Sequence, residues 1–172
     1  MDRARKLARV GAGTRFDELN PVLDVNRLHV PGGACGEVGI GGFVQGGGYG
    51  FTSRLFGLNC DSMVEATVML ADGRLVTANH ECNPDLLWAL RGGTGGNFGV
   101  LLEVCYRLQA LDELWGFRLV WPAEGAPEAL AELQASFMKD DPPQRLGYIV
   151  ILQYHEGSAG PDGARDVRRH PR

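Results

Sequence analysis

The sequence predicts an α+β fold, and three observations carry that reading. Two apolar stretches, Met63 to Leu70 and Arg74 to Ala78, flank Asp72-Gly73, the signature of a β-hairpin. Phe98 to Leu108 alternates, with Val100, Leu102, Val104 and Tyr106 at every second position, as a half-buried strand does. Two helical segments, Arg15 to Leu23 and Asn83 to Leu90, are expected to pack on the mixed or antiparallel sheet that these strands form.

In chain order, Leu7 to Val10 reads as extended and runs into Gly11-Ala12-Gly13-Thr14. Pro21 is expected to interrupt or start the first helix, because proline lacks the N–H of a helix interior. Leu28 to Val30 is a short strand ended by Pro31-Gly32-Gly33, and Phe51 to Phe56 is a helical turn. Asn83 caps the second helix and Pro84 takes its first position. Leu114 to Trp121 and Leu146 to Tyr154 read as strands around a helix from Ala126 to Met138, whose Leu130, Leu133, Phe137 and Met138 share one side. Gly157 to Arg172 has almost no apolar residue, and disorder is expected there. A domain boundary falls near Ala110 to Glu113, giving residues 1–110, 111–156 and a tail of 157–172. The expected core is Val64, Val68, Leu70, Leu75, Leu87, Leu90, Val100, Leu102 and Val104, with Trp88 largely buried.

Composition excludes several function classes. A net charge of −4 argues against nucleic-acid or anionic-membrane partners, which call for a basic patch. No apolar run approaches the ~20 residues that span a bilayer, and the basic start has no apolar region behind it, so the localisation stays unknown, with the cytoplasm as the default expectation. Cys35, Cys60, Cys82 and Cys105 lack metal or redox spacing; the last three read as small hydrophobes. His80-Glu81-Cys82 supplies too few ligands for a metal.

The abnormal residue is glycine: 25 of 172, about twice the average share. Ten of the 19 residues from Gly32 to Gly50 are glycine, interleaved with Val38, Ile40, Phe43, Val44 and Tyr49, so this is not a flexible linker. A second cluster spans Gly92 to Gly99. Such segments suit either tight turns or backbone that approaches a ligand closely, and the second reading is favoured. Val10-Gly11-Ala12-Gly13-Thr14-Arg15-Phe16 only imitates a dinucleotide fingerprint, because Phe16 stands where the third glycine is needed.

The order of motifs is more specific. Pro31-Gly32-Gly33-Ala34-Cys35-Gly36-Glu37-Val38-Gly39-Ile40-Gly41-Gly42 leads to Gly46-Gly47-Gly48-Tyr49-Gly50. Then come Gly57-Leu58-Asn59-Cys60-Asp61, Leu70-Ala71-Asp72-Gly73, Asn83-Pro84-Asp85-Leu86-Leu87-Trp88 and Gly95-Gly96-Asn97-Phe98-Gly99-Val100. From about Val10 to Leu108 the chain resembles the FAD-linked oxidases of the vanillyl-alcohol oxidase type, with the PCMH-type FAD-binding domain, and among them the berberine-bridge-enzyme-like group. The resemblance implies the second FAD subdomain of that fold, followed by the start of an α+β substrate domain.

It also implies FAD as cofactor, with Cys35, Val38, Gly39, Gly42, Asp61, Asn97, Gly99 and Val100 as its neighbours. A flavin of this type lies along extended backbone whose N–H groups face phosphate and ring carbonyls. Cys35 aligns with a cysteine that in some members bonds the flavin, though Cys35-Gly36-Glu37 departs from the usual Cys-Pro-Thr; a noncovalent small residue is the other reading. Val38 takes the position that in the family stands where oxygen approaches the reduced ring, and equally reads as an ordinary strand residue. The implied reaction moves hydride from an alcohol, sugar or amine, a small-molecule substrate, to FAD and then electrons to oxygen. Family members are far longer, so the chain is expected to be an internal piece. A pyrophosphate-gripping segment would precede it, and the catalytic base, unknown here, would lie elsewhere. Loss of covering segments is expected to expose an apolar patch at Val38, Ile40, Phe43 and Tyr49, and another along Leu114 to Trp121. A non-catalytic remnant without FAD is the alternative.

Overall fold

The computed structural model of the chain describes residues 1–138, 144–151 and 165–169. It divides into two compact units, Met1–Asp112 and Glu113–Arg172. In the first unit, strands β1 (Leu7–Gly11), β3 (Met63–Met69), β4 (Leu75–Asn79) and β5 (Val100–Arg107) form a wholly antiparallel sheet in the order β1-β5-β3-β4. A short β2 (Leu28–His29) pairs with β6 (Gln109–Ala110). The β3–β4 hairpin forms as the sequence predicts, turning through Gly73 at φ +83°, a value that favours glycine.

Helix α1 (Phe16–Val25) buries Phe16, Leu19 and Leu23, spaced so that they share one face, and Glu18 Oε2 accepts the Arg15 N–H at 2.8 Å. It runs uninterrupted through Pro21, contrary to the sequence expectation. Helix α2 (Ile40–Gln45) lies against β5, α3 (Ser53–Phe56) is a single turn, and α4 (Pro84–Leu90) lies against β3 and β4. Pro84 opens α4 as expected, but Asn83 does not cap it: its amide donates to the Thr77 carbonyl at 2.7 Å while its backbone is left-handed. One buried cluster joins α1, α2, α4 and the inner face of the sheet.

The expected core is corrected at several positions, and β-bulges explain three of them, Val64, Val100 and Leu102. Thr67 pairs with Glu103 but Val68 pairs with Leu101, so Leu102 is an extra residue on β5. A slip of one residue exchanges the faces of a strand. Leu101 and Val104 therefore point inward while Val100 and Leu102 are exposed. A second register shift, between Met63 and Glu65, buries Met63 and leaves Val64 half-buried. Val68, Leu87 and Leu90 are buried as expected, Leu70 is half-buried, and Leu75 is exposed. Trp88 is 80% exposed, because Leu87 and Leu90 take the inner face of α4. Cys82 is exposed, unlike Cys60 and Cys105. The patch expected around Val38, Ile40, Phe43 and Tyr49 is overturned: Ile40 is fully buried, Val38 and Phe43 pack on the core, and only Tyr49 is exposed.

The outer face of the sheet carries a polar ladder across all four strands. Arg9 donates to Glu65 at 2.5 Å and to Glu103 at 3.1 Å, and Asn79 donates to Glu65 at 2.8 Å. The Asn79 amide, then Arg9, hold the Glu65 carboxyl below its ordinary range. Hydrogen bonds to Glu65 and Glu103 push the Arg9 guanidinium up.

The second unit contains β7 (Trp115–Leu119) and α5 (Ala126–Phe137), with Leu130, Leu133 and Phe137 half-buried and Met138 exposed. Leu114, Trp115, Phe117, Leu119, Val120 and Trp121 are exposed, as the sequence reading expects. The strand expected at Leu146 to Tyr154 is absent over residues 146–151, and its remainder lies outside the described residues. Expected disorder in the tail does not hold at Arg165–Arg169, which forms β8 antiparallel to β7; the rest of 157–172 is outside the described residues. Among the described residues, no helix is long and apolar enough to cross a membrane.

Candidate functional site

A groove of about 880 Å³ opens in the first unit, and four chain segments line it. Ala12 and Gly13 follow β1; Gly41, Gly42 and Gln45 belong to α2; Met69 to Ala71 end β3; and Gly96 to Leu101 lead into β5. The β5 bulge helps to assemble it. The Leu102 carbonyl accepts the Ala12 N–H at 2.9 Å, which turns the chain after β1 toward the groove.

Glycine acts here in two ways. At Gly41 a Cβ would stand 2.9 Å from the Ala12 carbonyl, so only glycine lets α2 approach β1 this closely. At Gly13, Gly42 and Gly96 a Cβ would meet nothing within 4 Å, so these positions face open space as bare backbone. Gly96 at φ +82° and Gly99 at φ +133° also have backbones that side chains disfavour.

The glycine-rich segment is pinned from below by a buried hub. The Tyr106 hydroxyl donates to Asn59 Oδ1 at 2.8 Å, and Asn59 Nδ2 donates to the Pro31 carbonyl at 2.6 Å. The Asn59 and Cys60 N–H groups donate to Gly48 and Gly47. Tyr106 and Asn59 are fully buried, and burial pushes the Tyr106 phenol well above its ordinary value. Arg91 clamps the same turn, donating to the Cys60 carbonyl at 2.9 Å and the Asp61 carbonyl at 3.1 Å. Burial raises the Cys60 thiol, so it is not the reactive thiolate form.

Of the eight positions implied by sequence, Gly42, Asn97, Gly99 and Val100 come together in the groove. The other four are not among its lining. Cys35 is exposed on a turn, and Val38 packs on the core while its carbonyl accepts the Phe16 N–H. Gly39 precedes α2 and is exposed, and Asp61 accepts the Leu58 N–H at 2.8 Å and stands 3.7 Å from Arg91. Asn97 turns its amide to the Thr94 hydroxyl, and to the Gly93 carbonyl at 3.4 Å. Sequence reasoning missed Gln45, whose only signal is a polar residue inside an apolar, glycine-rich run, and the Asn59–Tyr106 pair, whose members are 47 positions apart.

An antiparallel sheet with a groove of bare backbone at its end defines a cofactor-binding class of domain, and the comparisons specify which. Residues 1–79 match the FAD binding domain model. The chain is 39% identical over 133 residues to the FAD-dependent monooxygenase tpcD of Cochliobolus heterostrophus, covering 77% of this chain and 25% of that protein. Among solved structures, it superposes on Physcomitrella patens BBE-like 1 with a TM-score of 0.64 and 37% identity, over 70% of this chain and 26% of the other. A chitooligosaccharide oxidase gives the same TM-score of 0.64 at 31% identity, over 76% and 29%. These matches support a PCMH-type FAD oxidase family for this chain, with berberine-bridge-enzyme-like and vanillyl-alcohol-oxidase-type structures as its neighbours. FAD is the cofactor of that family, and the chain spans about a quarter of the length of these relatives.

The groove fits such a cofactor on its own evidence. A flat, extended molecule bearing a pyrophosphate needs backbone it can approach without meeting side chains, and Gly13, Gly42 and Gly96 provide that.

Proposed function

We propose that this chain forms part of the FAD-lining wall of an oxidase, which takes hydride from an alcohol, sugar or amine and delivers the electrons to oxygen. FAD, when bound, supplies the electron sink. For each turnover the substrate gives up a hydride and a proton, together two electrons and two protons, and dioxygen takes up the same two electrons and two protons and leaves as hydrogen peroxide. The residues of this chain bind and shape: Gly13, Gly42 and Gly96 leave the wall open, Asn97 holds the Gly93 carbonyl and the Thr94 hydroxyl, and Asn59 fixes the glycine segment beneath. The observation that carries the reading is the glycine-lined groove. That one solved neighbour is a chitooligosaccharide oxidase supports the reaction class.

The test is calorimetric titration of the purified chain with FAD, beside Gly42→Leu. Saturable binding that Gly42→Leu weakens by ten-fold or more supports the reading, because a leucine side chain would fill the open space. Absence of any FAD binding by the wild type favours the alternative, a non-catalytic piece without cofactor.

A further inference from the structure

We infer that Gln45 is a cofactor-binding residue whose side-chain oxygen accepts a hydrogen bond from an N–H or O–H group of the bound molecule. This rests on the FAD reading above and names a polar contact within that groove. Gln45 is 6% exposed and lines the groove from the last turn of α2. Its amide orientation is fixed, because Nε2 donates to the Gly41 carbonyl at 2.9 Å. Rotating the amide would set two carbonyl oxygens against each other. Oε1 is thereby left as an acceptor, and it is buried with no partner among the described residues. A buried acceptor without a donor bears the full cost of its lost hydration, so native proteins rarely keep one unless something arrives to satisfy it.

What covers Gln45 is also strained. Thr94 N–H donates to the Gln45 backbone carbonyl at 3.0 Å, and Gly95 lies against the Gln45 side chain. Thr94 itself has φ +73°, a genuine outlier for a β-branched residue. Strained backbone of this kind gathers at ligand-binding segments. The Thr94–Gln45 backbone bond thus ties an exposed, glycine-flanked loop over an unsatisfied acceptor at the edge of the groove. Displacing that loop relieves Thr94 and opens Oε1 to a donor. FAD carries donors of both kinds: the ring imide N–H and ribityl hydroxyls on one half, the adenine amine and ribose hydroxyls on the other.

The experiment titrates wild type, Gln45→Met and Gln45→Glu with FAD, FMN and ADP at neutral and mildly acidic pH. Methionine keeps the shape but removes the Nε2 donor to Gly41 together with the Oε1 acceptor; a protonated glutamate keeps both, donating to the Gly41 carbonyl and leaving one oxygen as acceptor. The expected result is a loss of about ten-fold or more in FAD affinity for Gln45→Met, the worth of one good hydrogen bond. Gln45→Glu is expected to retain FAD affinity within about three-fold at the acidic pH. A matching loss with FMN places the donor on the flavin half; a matching loss with ADP places it on the adenosine half. FAD affinity of Gln45→Met within two-fold of wild type overturns the inference while leaving the FAD reading intact. A wild type that binds none of the three overturns both.

Discussion

The two glycine clusters of this chain have similar composition and different surroundings. Residues 32–50 are folded into the core: Ile40 and Val44 are fully buried, and Gly48 and Gly50 stand where backbone or rings leave no room for a side chain. Residues 92–99 are mostly exposed, with Gly92, Gly96 and Gly99 at positive φ, and a Cβ at Gly93 or Gly99 would still meet neighbouring atoms. Both clusters thus use glycine for close packing and for left-handed backbone, and they differ in burial. The groove forms where the two meet, with a rigid floor and a strained lip.

Substitutions can break that contrast. The largest effect is expected at Gly50, where a Cβ would stand 1.8 Å from the Gly32 carbonyl. Gly50→Ala should destabilise the chain by about 4 kcal/mol or more, as only a steric clash with backbone does, read as a shift in urea midpoint. Next is the hub: Tyr106→Phe leaves Asn59 Oδ1 buried without its donor and should cost about 1–3 kcal/mol in the same measurement. In the second cluster Gly96→Ala meets no atom, so only its backbone conformation resists. That change should cost about 1 kcal/mol, and a loss as large as that of Gly50→Ala would abolish the distinction between the clusters.

The smallest effect sharpens the comparison by lying outside both clusters. Glu65 has its carboxyl held down by Asn79 and Arg9, so its contribution is present above the ordinary glutamate range and is lost as pH falls through the lowered value. The ladder is partly exposed, and Glu65→Gln should remove no more than about 1 kcal/mol near neutral pH. It should flatten the acid limb of a stability profile and leave FAD affinity untouched.

Sequence showed the local parts of this structure clearly. Asp72-Gly73 between apolar runs specifies its hairpin, and Pro84 marks the start of α4, because each signal acts within a few residues. The alternation along β5 misleads at Val100 and Leu102, because a bulge against β3 is set by tertiary pairing and reverses the faces on the N-terminal side of Glu103. Trp88 misleads differently: its hydrophobicity suggests burial, yet Leu87 and Leu90 already fill the inner face. Half of the implied cofactor neighbours converge in the groove, and the motifs that name them are glycines and their flanks. Gln45 and Asn59 could not be singled out, since a buried polar residue is defined by partners that only the fold supplies.

The account stands most directly on where FAD touches this chain, and amide NMR shifts on a labelled protein titrated with FAD measure that. The N–H resonances of Gly13, Gly42, Gly96 and Gly99 are expected to move most, with those of the Thr94 loop broadening or shifting beside them. Shifts concentrated instead at Cys35, Gly36 and Asp61, with Gly42 and Gly96 unmoved, would contradict the groove as the cofactor site.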